Sequence, residues 1–117
     1  MMKTRQDFLS ALQKQFPEAY ARLDEIDEGL LHLEVAAFRR TVEEACQSGR
    51  GWYVEKAMRF VEDALGTAGP ELENALNVSF VEDFALGDFS TEARTLVKER
   101  TSPRLLREFR TIHDAWK

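Results

Sequence analysis

Residues 52–85 read WYVEKAMRFVEDALGTAGPELENALNVSFVEDFA, and the fold class follows from this stretch. Tyr53, Ala57, Phe60, Val61 and Ala64 recur at helical spacing, which predicts an amphipathic helix from about Trp52 to Leu65. Gly66 is expected to end it. The turn Gly66-Thr67-Ala68-Gly69-Pro70 then leads into a second helix, with Pro70 at its first position and Glu71 and Glu73 near the positive end of its dipole. Leu72, Leu76 and Phe80 share one side of this second helix and Val78, Val81 and Ala85 another, so it is expected to lie centrally, contacted from two directions. No alternating strand pattern competes, and the hairpin predicts an all-α protein.

The same periodicity extends toward both ends. Phe8, Leu9, Leu12 and Phe16 share one face of a helix from about Thr4, and Pro17 opens a short helix carrying Ala19, Leu23 and Ile26. Gly29 follows the acidic run from Asp24 to Glu28 as a break. A longer helix from Leu30 to Ser48 then carries the stripe Leu31, Val35, Phe38, Val42, Ala45 and Cys46, with Gly49 expected in a left-handed cap. After Gly87, a segment from about Ser90 to Arg100 is expected to bury Phe89, Ala93, Leu96 and Val97. Ser102 and Pro103 give the cap and first position of a closing helix with Leu105, Phe109, Ile112 and Trp116 inward. Short connections make consecutive helices antiparallel. The expectation is one domain over residues 1–117, with six to seven short helices in a compact bundle or a HEAT-like stack of hairpins.

Composition agrees with an ordinary folded domain: 117 residues, 44% hydrophobic and 32% charged, with eight Phe and two Trp as bulky core material. The start, MMKTRQDFLSALQKQF, lacks the continuous apolar region of a signal peptide, and no run is long enough to span a bilayer. A cytoplasmic protein with no membrane partner is expected. Net charge is −5 and strongly polarised: Glu18 to Asp88 holds 16 acidic and 6 basic residues, Arg94 to Lys117 7 basic and 3 acidic. An acidic body attracts basic proteins and repels nucleic acid. The basic run Lys98, Arg100, Arg104, Arg107 and Arg110 would suit nucleic acid by itself. Glu99, Glu108 and Asp114, the acidic body and the usual intramolecular pairing of Arg argue against that partner. Oligomeric state is left open.

No catalytic, metal or cofactor site is expected. The Glu and His spacing of helical metal sites is absent, and His32 and His113 flank apolar stripes as packing residues. Cys46 follows Glu43 and Glu44 near a helix C-terminus, where thiolate is disfavoured, so it reads as a buried small hydrophobe. Gly49-Arg50-Gly51 lacks the spacing and preceding strand of a phosphate loop. Two features stand out. Ser79 and Asp83 both point into the face formed by Leu72, Leu76 and Phe80, so Asp83 either bonds backbone amides at a neighbouring helix start or is a recessed acid offered to a partner Arg. Trp52 falls among Lys56, Arg59 and Asp63 on the polar side of its helix; it anchors an interface, covers the hairpin end, or stacks on Lys56.

The segments Tyr53 to Leu65 and Asn74 to Phe84, and later Ser102-Pro103-Arg104-Leu105-Leu106-Arg107-Glu108, resemble a group of small bacterial helical proteins. In that group a helix ending in a Phe-aliphatic-Glu-acid pattern precedes an Asn-Ala-x-x-x-Ser-Phe-aliphatic-Glu helix. Members are suspected immunity proteins of polymorphic toxin systems. The resemblance implies that this chain neutralises a toxin by binding it, and it carries over Glu62, Asn74, Ser79, Phe80 and Glu82. Charge and resemblance together predict a non-enzymatic protein that meets a cognate toxin, or another basic protein, through Asp24, Glu25, Asp27, Glu28, Trp52, Glu62, Asp63, Glu82 and Asp83. A HEAT-like adaptor without inhibitory role is the alternative. An enzyme would use Glu62 and Asp83.

Overall fold

A computed structural model describes residues 2–25 and 30–117, without the side chains at 24 and 25. The expectations for Ile26, Asp27, Glu28 and Gly29, and for the side chains of Asp24 and Glu25, lie outside the described residues. Thr4 starts helix α1 (Arg5–Gln15) with a capping box, its hydroxyl accepting from the Asp7 N–H while the Asp7 carboxylate accepts from Thr4 N–H. The Lys3 N–H, which donates to the same carboxylate at 3.1 Å, and the Thr4 N–H together hold the Asp7 carboxyl below its ordinary value. Pro17 opens α2 (Pro17–Ala21), as expected. Helix α3 (Leu31–Gln47) buries its whole expected stripe, and Gly49 ends it with φ of +73°.

Helix α4 (Gly51–Thr67) buries Tyr53, Ala57, Phe60, Val61 and Ala64, and adds Val54 and Met58. Gly66 does not end it. The helix runs on to Thr67 because the N-terminal residues fasten its last turn: Thr67 Oγ1 donates to the Met2 carbonyl at 2.8 Å, and the Gly69 N–H to the Lys3 carbonyl at 2.9 Å. A Cβ at Gly69 would stand 3.1 Å from that Lys3 oxygen, so close backbone approach is what the glycine serves.

Helix α5 (Pro70–Leu76), a π-helical turn (Asn77–Glu82) and α6 (Asp83–Ala85) run on continuously. The wider i to i+5 turn shifts the register by about a residue. Phe84 therefore takes the inward place over Phe80, the two rings stacked at 5.6 Å, and Asp83 is turned out. Two expectations are corrected by this turn. Asp83 is not recessed, its side chain being 53% exposed, and Val78 is exposed where Val81 and Ala85 are buried. Arg39 Nη1 donates to the Ser79 carbonyl at 3.0 Å, supplying the turn with a side-chain donor.

Helix α7 (Thr91–Arg100) is capped by Ser90 and α8 (Pro103–Ile112) by Ser102. The last expected helical position is corrected: α8 stops at Ile112, His113 Nδ1 accepts from Ala115 N–H, and Trp116 reaches the core from a 3-10 turn (Asp114–Trp116). Phe8, Phe16, Phe38, Phe60 and Phe80 form one string of ring contacts, and Phe84, Phe89, Phe109 and Trp116 continue it. In a solenoid each hairpin touches only its neighbours. Here α7 packs on both α3 and α4, and α8 on the π turn, around one core, and the described residues span 35 × 26 × 21 Å. The architecture is a compact all-α bundle.

Candidate functional site

The inward stripe of α4 leaves Trp52, Glu55, Lys56, Arg59, Glu62 and Asp63 along the opposite side. Trp52 is 63% exposed. It does not stack on Lys56, whose ammonium instead donates to the Gln15 carbonyl at 2.7 Å and lies over the Phe16 ring. The indole is steadied by the Arg50 guanidinium, 5.7 Å from its ring centre, and by an edge contact with Tyr53. Around it lies a depression of about 290 Å³ with Met2, Phe60 and Asp63 in its wall. Glu55 and Arg59, 3.8 Å apart, separate it from a second of about 250 Å³ that reaches Glu62, Glu99 and Arg100.

Glu62 is half-buried and accepts from Ser102 Oγ at 2.6 Å, so the residue that caps α8 also fixes this carboxylate. Beyond it a third depression of about 280 Å³, floored by Leu65 and Leu105, holds Glu62, Glu73, Glu108 and Arg104. Of the expected interface residues, Trp52, Glu62 and Asp63 thus share the outer side of α4. Asp83 belongs to a different cluster: it takes Arg39 Nη1 at 2.8 Å, while Arg39 Nε lies 3.5 Å from Glu43. Burial pushes the Glu43 carboxyl up, and Arg39 opposes part of that rise. Glu82, exposed, adjoins Asp83 on the π turn.

Several polar residues are placed otherwise than their sequence suggests. Glu34 is 3% exposed and meets Arg5 in a two-pronged pair, Nε to Oε1 and Nη2 to Oε2, each 2.7 Å. Its position between Leu31 and Phe38 on the α3 stripe was a readable sign that this carboxylate would be buried. His32 is exposed, its Nδ1 2.8 Å from Ser79 Oγ and its Nε2 3.5 Å from Asn74 Nδ2, so Asn74 and Ser79 meet at one histidine. Cys46, by contrast, is buried as expected, and burial together with Glu43 pushes its thiol up to about 12. Among the described residues Arg104, Arg107 and Arg110 are exposed and make no ion pair, whereas Arg5, Arg22, Arg39, Arg50 and Arg59 all do. Among the described residues no three His, Cys, Asp or Glu side chains are grouped to hold a metal ion, and no helix is long and apolar enough to cross a membrane.

Fold and surface define a small all-helical bundle whose polar residues gather on helix faces. Residues 9–117 match the model of the family described as Domain of unknown function (DUF7674), and the chain belongs to that family. No curated protein and no solved structure matches it.

Proposed function

We propose that this protein acts without catalysis, binding a basic protein partner on the outer side of α4 with Trp52 as the anchor. The partner we favour is a bacterial toxin domain, neutralised in the cytoplasm by occlusion. One observation carries the reading: an indole 63% exposed stands on a helix whose other aromatic residues, Tyr53 and Phe60, are buried. A large apolar ring held in place at the surface loses little freedom on binding, which is why Trp is enriched at interface hot spots. Glu55, Glu62 and Asp63 along the same helix supply the carboxylates that would steer a basic partner toward it.

The test is capture of the tagged protein's partner from its native host at low salt, followed by co-expression of protein and partner. The expected result is one stoichiometric basic polypeptide, toxic alone and harmless with the wild-type protein. Trp52→Ala should weaken that complex by about thirtyfold or more, the effect of a hot spot worth about 2 kcal/mol. A Glu62→Lys, Asp63→Lys variant should slow association and flatten its salt dependence. Unchanged affinity in the Trp52 variant refutes the anchor; recovery of non-toxic housekeeping proteins refutes the toxin partner.

A further inference from the structure

Leu105 and Phe109 turn one side of α8 into the core, and helical spacing sets Arg107 opposite the middle of that side with Arg104 and Arg110 on its two flanks. All three arginines are exposed, and none makes an ion pair among the described residues; even Glu108, one turn from Arg104, is not in ion-pair contact with it. Pro103 and Thr111 are the other residues of this outer side, so it holds no carboxylate. The arrangement works against the helix itself. Arginines at i, i+3 and i+6 repel one another, and Arg104 sets a cation at the positive end of the dipole, in a first turn without an acidic residue. No carboxylate of the chain answers these charges, and their counterpart is to be sought outside it.

We propose that the outer side of α8 docks an acidic helix of another protein, one whose carboxylates recur three and four residues apart, along Arg104, Arg107 and Arg110. The stripe runs for about 9 Å, six residues at a rise of about 1.5 Å each. Carboxylates on one side of a partner helix repeat with the same rise, so one can face each guanidinium, whose planar fork takes a carboxylate two-pronged. Other anions match the surroundings less well. A nucleic acid strand extends past the Arg104 end of the stripe, toward the depression lined by Glu62, Glu73 and Glu108, and the acidic body opposes a long polyanion more than a segment confined to α8. Phe89, Phe109 and Trp116 are all buried, so this end of the chain holds out no ring for bases to stack on. An anionic membrane takes up a helix by its apolar side, and that side of α8 is packed in the core. The surface differs from the outer side of α4 and its partner has the opposite charge, so the inference does not depend on binding at Trp52.

The probe is an alanine-based peptide of about 20 residues, long enough to be helical by itself, with glutamate at every third or fourth position; its control carries glutamine at the same places. Amide shifts of the full-length, nitrogen-15-labelled chain are followed as each peptide is added, at about 0.01 M ionic strength, where charges act over about 30 Å, and at about 1 M, where they act over about 3 Å. The expected result is shifts grouped on α8 with the glutamate peptide at low salt, and none with the glutamine peptide or at high salt. Replacing Arg104, Arg107 and Arg110 together by Gln should weaken binding by about tenfold or more, and Arg107→Gln alone by about twofold to threefold. The triple variant should melt no lower than the parent, because it relieves repulsion within the helix, so misfolding does not account for the loss. Trp52→Ala should leave peptide binding unchanged while weakening the complex proposed for α4, which separates failure of one reading from failure of the other. A glutamate peptide that shifts no α8 amide, or that binds the triple variant as tightly as the parent, overturns the proposal. So does an oligodeoxythymidine of equal charge, or a vesicle of anionic phospholipid, that binds more tightly than the peptide and is released by the triple substitution, which would reassign the stripe to nucleic acid or to membrane.

Discussion

Trp116, next to the last residue of the chain, closes the aromatic core, and its replacement should be among the costliest single changes in the protein. It is 1% exposed, touches Phe84, Phe89 and Phe109 at ring distances of 6.0, 5.8 and 5.4 Å, and carries the Arg94 guanidinium 5.2 Å from its ring centre. Its Nε1–H donates to the carbonyl of Ala85, the last residue of α6, at 2.8 Å. Trp116→Ala removes the whole ring and leaves a cavity, a change that costs about 3–5 kcal/mol in buried sites. For a chain of this length that is a fall in Tm of about 10–20 °C. Trp116→Phe keeps most of the packing and orphans the carbonyl, so its cost should be smaller, about 1–2 kcal/mol. Urea unfolding followed by far-ultraviolet circular dichroism measures both without relying on the tryptophan signal. A Trp116→Ala variant within about 1 kcal/mol of the parent would show that the terminal turn is not docked, and would refute the packing argument.

Cys46 should be nearly inert to an aromatic disulfide reagent at pH 8: a thiol held at about 12, against an ordinary 9.0, has about a thousandfold less thiolate before access is considered, and native reactivity within tenfold of that in guanidinium would contradict it. Because folding raises this thiol, its contribution is fully present below about pH 9 and is lost as pH climbs toward 12, by about 1.4 kcal/mol per unit; stability of the parent minus that of Cys46→Ala, followed across that window, should show the slope. Arg5→Ala strands the buried Glu34 carboxylate and should destabilise by about 2–3 kcal/mol, below the full figure for a buried pair because Arg5 is partly exposed. A double replacement by Met at both positions should recover much of that loss in the same unfolding assay. Gly49→Ala meets no atom within 4 Å, so its expected cost of about 1 kcal/mol comes from the left-handed φ of +73° alone, and no measurable change in Tm would mean the turn relaxes freely.

Local pattern was sufficient for most of the fold. The α3 stripe, the cap Ser102, the first positions Pro17, Pro70 and Pro103 and the left-handed Gly49 all follow from interactions within a few residues, and such interactions are present in the sequence itself. Trp52 was legible for the same reason, since the polar side of a helix is a property of its own spacing. What tertiary structure decided were matters of register and partnership between segments far apart in the chain. The π turn rotated Asp83 outward and Phe84 inward, and Arg39, 44 residues from Asp83, is there to receive the carboxylate. Met2 and Lys3 carried α4 past Gly66, Arg5 made a buried home for Glu34, and Trp116 found the Ala85 carbonyl 31 residues away. Helical period is a one-dimensional signal that each residue carries with its neighbours. Which carboxylate meets which guanidinium, and which arginine is left facing outward without one, exists only after the helices have packed.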